Sequence, residues 1–69
     1  MPLTYAKTGE KNYIKKISGK DEVRKHLASL GFVVGERVEI VSEFSGNMIC
    51  NIKDSRVAID KSMAQRIMV

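Results

Sequence analysis

Leu27-Ala28-Ser29-Leu30-Gly31-Phe32-Val33-Val34-Gly35-Glu36-Arg37-Val38-Glu39-Ile40 is the stretch whose reading decides the fold of this chain. Val23, Leu27 and Leu30 recur at helical spacing and put three apolar side chains on one stripe. Gly31 follows where a helix needs a left-handed residue to close its last turn, a conformation that glycine adopts cheaply. Phe32 then falls where a Schellman cap sets an apolar residue against Leu27. Gly35 marks a turn, and Val38 and Ile40 alternate with Arg37 and Glu39 as in a half-buried strand.

Working back towards Met1, the spacing predicts a helix near Lys20 to Leu30. Ser18 and Asp21 have capping-box spacing, and Asp21 and Glu22 suit the positive end of the helix dipole. Asn12 to Ile17 reads as a strand, but Ile14 and Ile17 are out of phase, which calls for a bulge or bend. Residues 1–11 read as an extended arm or weak first strand of a single domain spanning 1–69.

Working forward, strands are expected near Arg37–Glu43, Asn47–Ile52 and Arg56–Ile59, joined by Ser45-Gly46-Asn47 and Lys53-Asp54-Ser55. Connections this short make antiparallel neighbours. Met48, Cys50 and Ile52 share one face of their strand. Asp60 can cap one helical turn, and Arg66 to Val69 forms a last strand. About five short strands and one helix can bury a core at this size only by bending into a small barrel.

The pattern Leu30-Gly31-x-x-x-Gly35-x-x-Val38-x-Ile40, the turn at Gly46, then Val57-Ala58-Ile59, Ala64 and Ile67-x-Val69 resembles the FeoA family. These are the small cytosolic partners of the bacterial ferrous iron transporter FeoB. The resemblance runs from about Tyr13 to Val69. It implies a mainly β, SH3-like barrel with the helix packed over one end. Val34 departs from the family pattern, which commonly has proline ahead of the turn glycine. The function the resemblance implies is non-enzymatic support of ferrous iron uptake in the cytoplasm, by docking on the cytosolic part of a FeoB-type transporter. It also allows weak association with a transition metal; no cofactor is expected.

Composition narrows the alternatives. The 69 residues are 43% hydrophobic and suit one small domain. No apolar run approaches the roughly 20 residues of a membrane helix, and the start lacks the pattern of a signal peptide. A lone cysteine, Cys50, makes a reducing cytosol the expected compartment. Residues 1–30 hold seven Lys/Arg and three acidic residues, and residues 31–69 hold five of each. The whole excess of +4 therefore lies in the first half. Such a face attracts an acidic protein surface, nucleic acid or anionic lipid, or simply keeps the chain soluble.

His26 and Cys50 lack the co-ligands that a metal site needs. His26 fits the solvent edge of the helix and Cys50 a buried apolar position. Met1, Met48, Met63 and Met68 are too scattered for a soft-ligand cluster. No nucleophile has a base and an orienting group at a recognisable spacing, and no glycine cluster can cradle a phosphate. Partner binding is the favoured reading. Its candidate residues are Lys20, Arg24 and Lys25 on the helix, Leu27 beneath them, and Phe44 and Gly46 in the 43–47 loop. Phe44 is either an exposed contact residue or a lid folded over the barrel end. Leu27 is either a contact or core. The alternative function is nucleic-acid binding, with Tyr13 beside Lys15 and Lys16 as the stacking cluster. A third is kinship with the SH3-like domain of iron-dependent repressors. Self-association through an edge strand, Asn47–Ile52 or the C-terminal strand, is also open.

Overall fold

Helix α1, Asp21–Ser29, ends as the glycine requires. In the computed structural model, which describes residues 1–69, Gly31 has φ +105°. Its N–H donates to the Ala28 carbonyl, and the Phe32 N–H donates to the Leu27 carbonyl, each at 2.9 Å. This is the paired bonding of a Schellman cap, and it turns the chain so that Phe32 and Leu27 are both wholly buried. The helix start differs from expectation. Lys20 is the N-cap and supplies no side-chain bond. Ser18 cannot cap, because its hydroxyl lies against the Arg66 carbonyl at 3.4 Å.

Six strands form two sheets rather than one closed barrel of five. Strands β1 (Lys11–Tyr13), β3 (Arg37–Phe44), β4 (Asn47–Ile52) and β5 (Ser55–Asp60) make an antiparallel sheet in the order β1-β3-β4-β5. Strands β2 (Lys16–Ile17) and β6 (Ile67–Met68) make a second, two-stranded sheet. The expected bend between Asn12 and Ile17 is where the chain changes sheets. The Ile14 N–H donates to Glu36 at 2.9 Å, and the next N–H, of Lys15, donates to Met68 at 2.8 Å. Single-turn helix α2 (Lys61–Ala64) is capped by Asp60, whose Oδ1 accepts the Met63 N–H at 2.8 Å.

The core is the inward face of the larger sheet closed from the other side. Val38, Ile40, Met48, Cys50, Ile52 and Ile59 point in and meet Leu27, Phe32, Ile14, Ile67, Ala64 and Leu3. Leu3 is the main correction to the expected arm. Residues Leu3–Tyr5 form a short 3-10 turn, and Leu3 is fully buried against the chain's other elements. The expected edge strands are corrected too. Asn47–Ile52 is interior, paired on both sides. The C-terminal strand is flanked by β2 and by a Pro2–Met68 bridge, with the Val69 N–H bonded to the Met1 carbonyl at 2.8 Å. In the larger sheet the free edges belong to β1 and β5.

Among the residues of the glycine-apolar pattern, Val38, Ile40, Ala64 and Ile67 are buried, Leu30 packs against the core from its rim, and Ala58 is exposed on the outer face of β5. Gly35 ties its turn to the residue that follows β1, its N–H donating to the Ile14 carbonyl at 2.8 Å.

Candidate functional site

One residue of irregularity sets the character of the hairpin β3–β4. Ile40 pairs with Cys50, but Ser42 pairs with Ile49, so Val41 is the extra residue of a β-bulge. Side chains alternate across a strand, so an unbulged β3 would carry Val38, Ile40, Ser42 and Phe44 on the inward face. The bulge reverses the phase. Phe44 then pairs with Asn47 on the outward face and is 73% exposed. The lid alternative is thereby excluded, and Phe44 closes a strand rather than sitting within a loop.

The hairpin tip is a two-residue turn. Ser45 and Gly46 connect the strands with φ of +51° and +80°, the two positive angles of a type I′ turn. The Gly46 carbonyl accepts the Lys61 N–H at 3.2 Å, and Lys61 Nζ lies 3.7 Å from Glu43 Oε2. Both contacts tie the tip to the start of α2. A large apolar side chain thus stands in water at the end of a strand, beside a turn in contact with α2.

The helix supplies a second, charged patch. Lys20, Arg24 and Lys25 are all exposed. Arg24 Nη2 is 2.6 Å from Asp21 Oδ1, an exposed pair that dampens one of the positive charges. Asp21, Arg24, Lys25 and Ala28 line a shallow depression of about 330 Å³. No hairpin residue lines it, so the helical and hairpin candidates form two patches rather than one. Leu27 belongs to neither. It has no exposed surface and is core, which removes it as a direct contact.

A polar depression that the sequence reading missed lies on the outward face of the larger sheet. Arg37, Glu39, Asn51, Lys53 and Asp54 line its roughly 310 Å³. The cross-strand pairing of Glu39 with Asn51 brings its two walls together. Register could not be read from composition, so nothing in the sequence announced it.

Cys50 is fully buried, and burial pushes its thiol up to about 11. It stays protonated at neutral pH, whereas metal binding and nucleophilic attack both need the thiolate. His26 is exposed in the last turn of α1, where its carbonyl accepts the Ser29 hydroxyl at 2.6 Å. No three His, Cys, Asp or Glu side chains converge on one point. No helix is long and apolar enough to cross a membrane. In the cluster expected around Tyr13, Tyr13 is 63% exposed and Lys15 and Lys16 are exposed beside it. Tyr13 pairs with Arg37 in the larger sheet, and Lys16 pairs with Met68 in the smaller one. The other exposed sheet aromatic, Phe44, lies at the far end of β3, about 20 Å away along the strand.

Comparison with known proteins fixes the family. The FeoA domain model matches residues 1–69. The chain belongs to the FeoA domain family. A candidate Fe(2+) transport protein A from Methanocaldococcus jannaschii is 34% identical over 68 residues, covering 99% of this FeoA chain and 83% of that protein. The crystal structure of an iron uptake regulatory protein, FeoA, superposes with a TM-score of 0.90 at 26% identity, covering 97% and 91% of the two chains. The zinc complex of Stenotrophomonas maltophilia FeoA, described as a prokaryotic SH3 domain protein, gives 0.85 at 23% identity over 99% and 87%. A manganese-dependent transcriptional repressor gives 0.87 at 23% over 97% of this chain and 39% of its own, a likeness of fold. The SH3-like architecture expected of this chain is therefore the one it has.

Proposed function

We propose that this chain is a non-enzymatic accessory protein of ferrous iron transport that docks, in the cytoplasm, on the cytosolic part of a FeoB-type transporter. Family membership supports the iron-transport setting. The observation that carries the docking reading is Phe44, 73% exposed on a two-residue hairpin braced by Lys61. Aromatic side chains on rigid supports are the usual anchors of protein interfaces, because they bury much area and lose little entropy. The second patch, Lys20, Arg24 and Lys25, adds positive charge that speeds encounter with an acidic surface. Cys50, buried and held protonated, supports the non-enzymatic part of this reading.

The test is an NMR titration of the labelled protein with the cytosolic nucleotide-binding domain of the cognate transporter, with and without guanine nucleotide. Shifts confined to residues 20–25 or 43–47 are expected. No shift at either patch, together with RNA binding whose affinity falls steeply with salt, would favour the nucleic-acid alternative.

A further inference from the structure

The geometry points to a two-fold dimer of this chain formed by antiparallel pairing of β5 with β5 of a second copy, centred on Ala58. Strand β5 is six residues long and pairs with β4 without a register shift. No backbone bond joins its other side to anything in the chain. Proteins usually blunt such an edge with proline, a bulge or an inward-pointing charge. Ser55-Arg56-Val57-Ala58-Ile59-Asp60 has none of these: Val57 and Ile59 fill the inward positions.

The direction of the free groups follows from the turn contact already described. Lys61 N–H bonds to Gly46 in the register that also pairs Ile59 with Met48 and Val57 with Cys50. Hydrogen-bonded pairs alternate along an antiparallel ladder, so Val57 and Ile59 bond to β4, while Arg56, Ala58 and Asp60 turn their N–H and C=O groups outward. The Asp60 carbonyl is committed to the first turn of α2, but its N–H is free.

Only some registers of a second copy are compatible with this edge. The inward and outward faces must each continue across the join, which excludes every slip by one residue. Centring on Arg56 sets arginine against arginine, centring on Asp60 sets aspartate against aspartate, and centring on Val57 or Ile59 keeps the faces but sets Arg56 or Asp60 opposite Ala58, with no Arg56–Asp60 pair across the join. Centring on Ala58 sets Arg56 opposite Asp60 of the second copy at both ends. It also sets Val57 opposite Ile59 on the inward face, and Ala58 opposite its own mate. Ala58 is exposed and small, so the strands can close fully there. The two Ala58 residues exchange reciprocal bonds, and each Asp60 N–H reaches the Arg56 carbonyl of the other copy. Asp60 Oδ1 caps Met63, leaving Oδ2 for the arginine. Arg56 gives up only a 3.4 Å contact with Asn51. The result is an eight-stranded sheet with one Phe44 on each half of its outer face.

Sedimentation equilibrium of the full chain from micromolar to millimolar concentration, with amide exchange at both extremes, tests this. The expected result is a reversible monomer–dimer equilibrium that weakens with salt, and amides of Arg56, Ala58 and Asp60 that become protected only at high concentration. Arg56→Glu places like charges opposite each other twice. It should raise the dissociation constant by about tenfold or more without lowering the melting temperature of the monomer. Asp60→Asn keeps the cap of α2 and should weaken the dimer less. A monomer at every concentration overturns the proposal. So does a dimer unaffected by Arg56→Glu, or one in which these three amides exchange freely.

Discussion

Two places in this molecule set a phenylalanine within two residues of a left-handed glycine, and the two phenylalanines meet opposite fates. At the end of α1, Gly31 closes the helix and Phe32 is fully buried. At the tip of β3–β4, Gly46 closes the hairpin and Phe44 is 73% exposed. The glycines do similar local work; what surrounds them differs. A Cβ added to Gly31 would sit 3.4 Å from Ile52 Cγ1, whereas one added to Gly46 would meet nothing within 4 Å. The helix end is locked into the core, and the hairpin tip stands in water. The first region makes the fold, and the second is free to make contacts.

Substitutions can break this contrast at several levels. Phe32→Ala should have the largest effect, about 3–5 kcal/mol by thermal or urea unfolding. That is comparable with the whole stability of a chain this size, about 5 kcal/mol, so the variant should be largely unfolded near 37 °C. Gly31→Ala should cost about 1–2 kcal/mol, from left-handed strain plus the tight approach to Ile52. Gly46→Ala meets only the backbone strain and should cost less, about 1 kcal/mol. Equal melting temperatures for the two alanine variants would show that Ile52 does not crowd the helix end. Phe44→Ala should change stability least, by less than about 0.5 kcal/mol, since little of its surface is buried.

The helix end was legible because its signals are local. Leu27, Gly31 and Phe32 sit within six consecutive residues, and the cap geometry follows from glycine at that offset. The Asp60 cap and the strand Asn47–Ile52 were legible for the same reason. Phe44 was not, because its orientation depends on the bulge at Val41, which is defined only against the partner strand. Leu3 belongs to no apolar repeat in Met1-Pro2-Leu3-Thr4-Tyr5-Ala6, and only contact with the rest of the fold makes it core. Ser18 has the spacing of a cap, but its hydroxyl lies against Arg66, forty-eight positions away. The edge strands follow from the order of the sheet, which connection length alone does not set. Of the candidate contacts, the exposed cations of α1 were readable as a surface, and Leu27 was not separable from them until its burial was known.

The most direct measurement is the affinity of Phe44→Ala, shown to melt with the wild-type protein, for the cytosolic domain of the cognate FeoB-type transporter. Removal of an aromatic anchor predicts binding weaker by about tenfold or more, with the fold intact. Wild-type affinity in a folded Phe44→Ala protein would contradict the account, because the exposed phenylalanine would then not be the contact for which the bulge turns it outward.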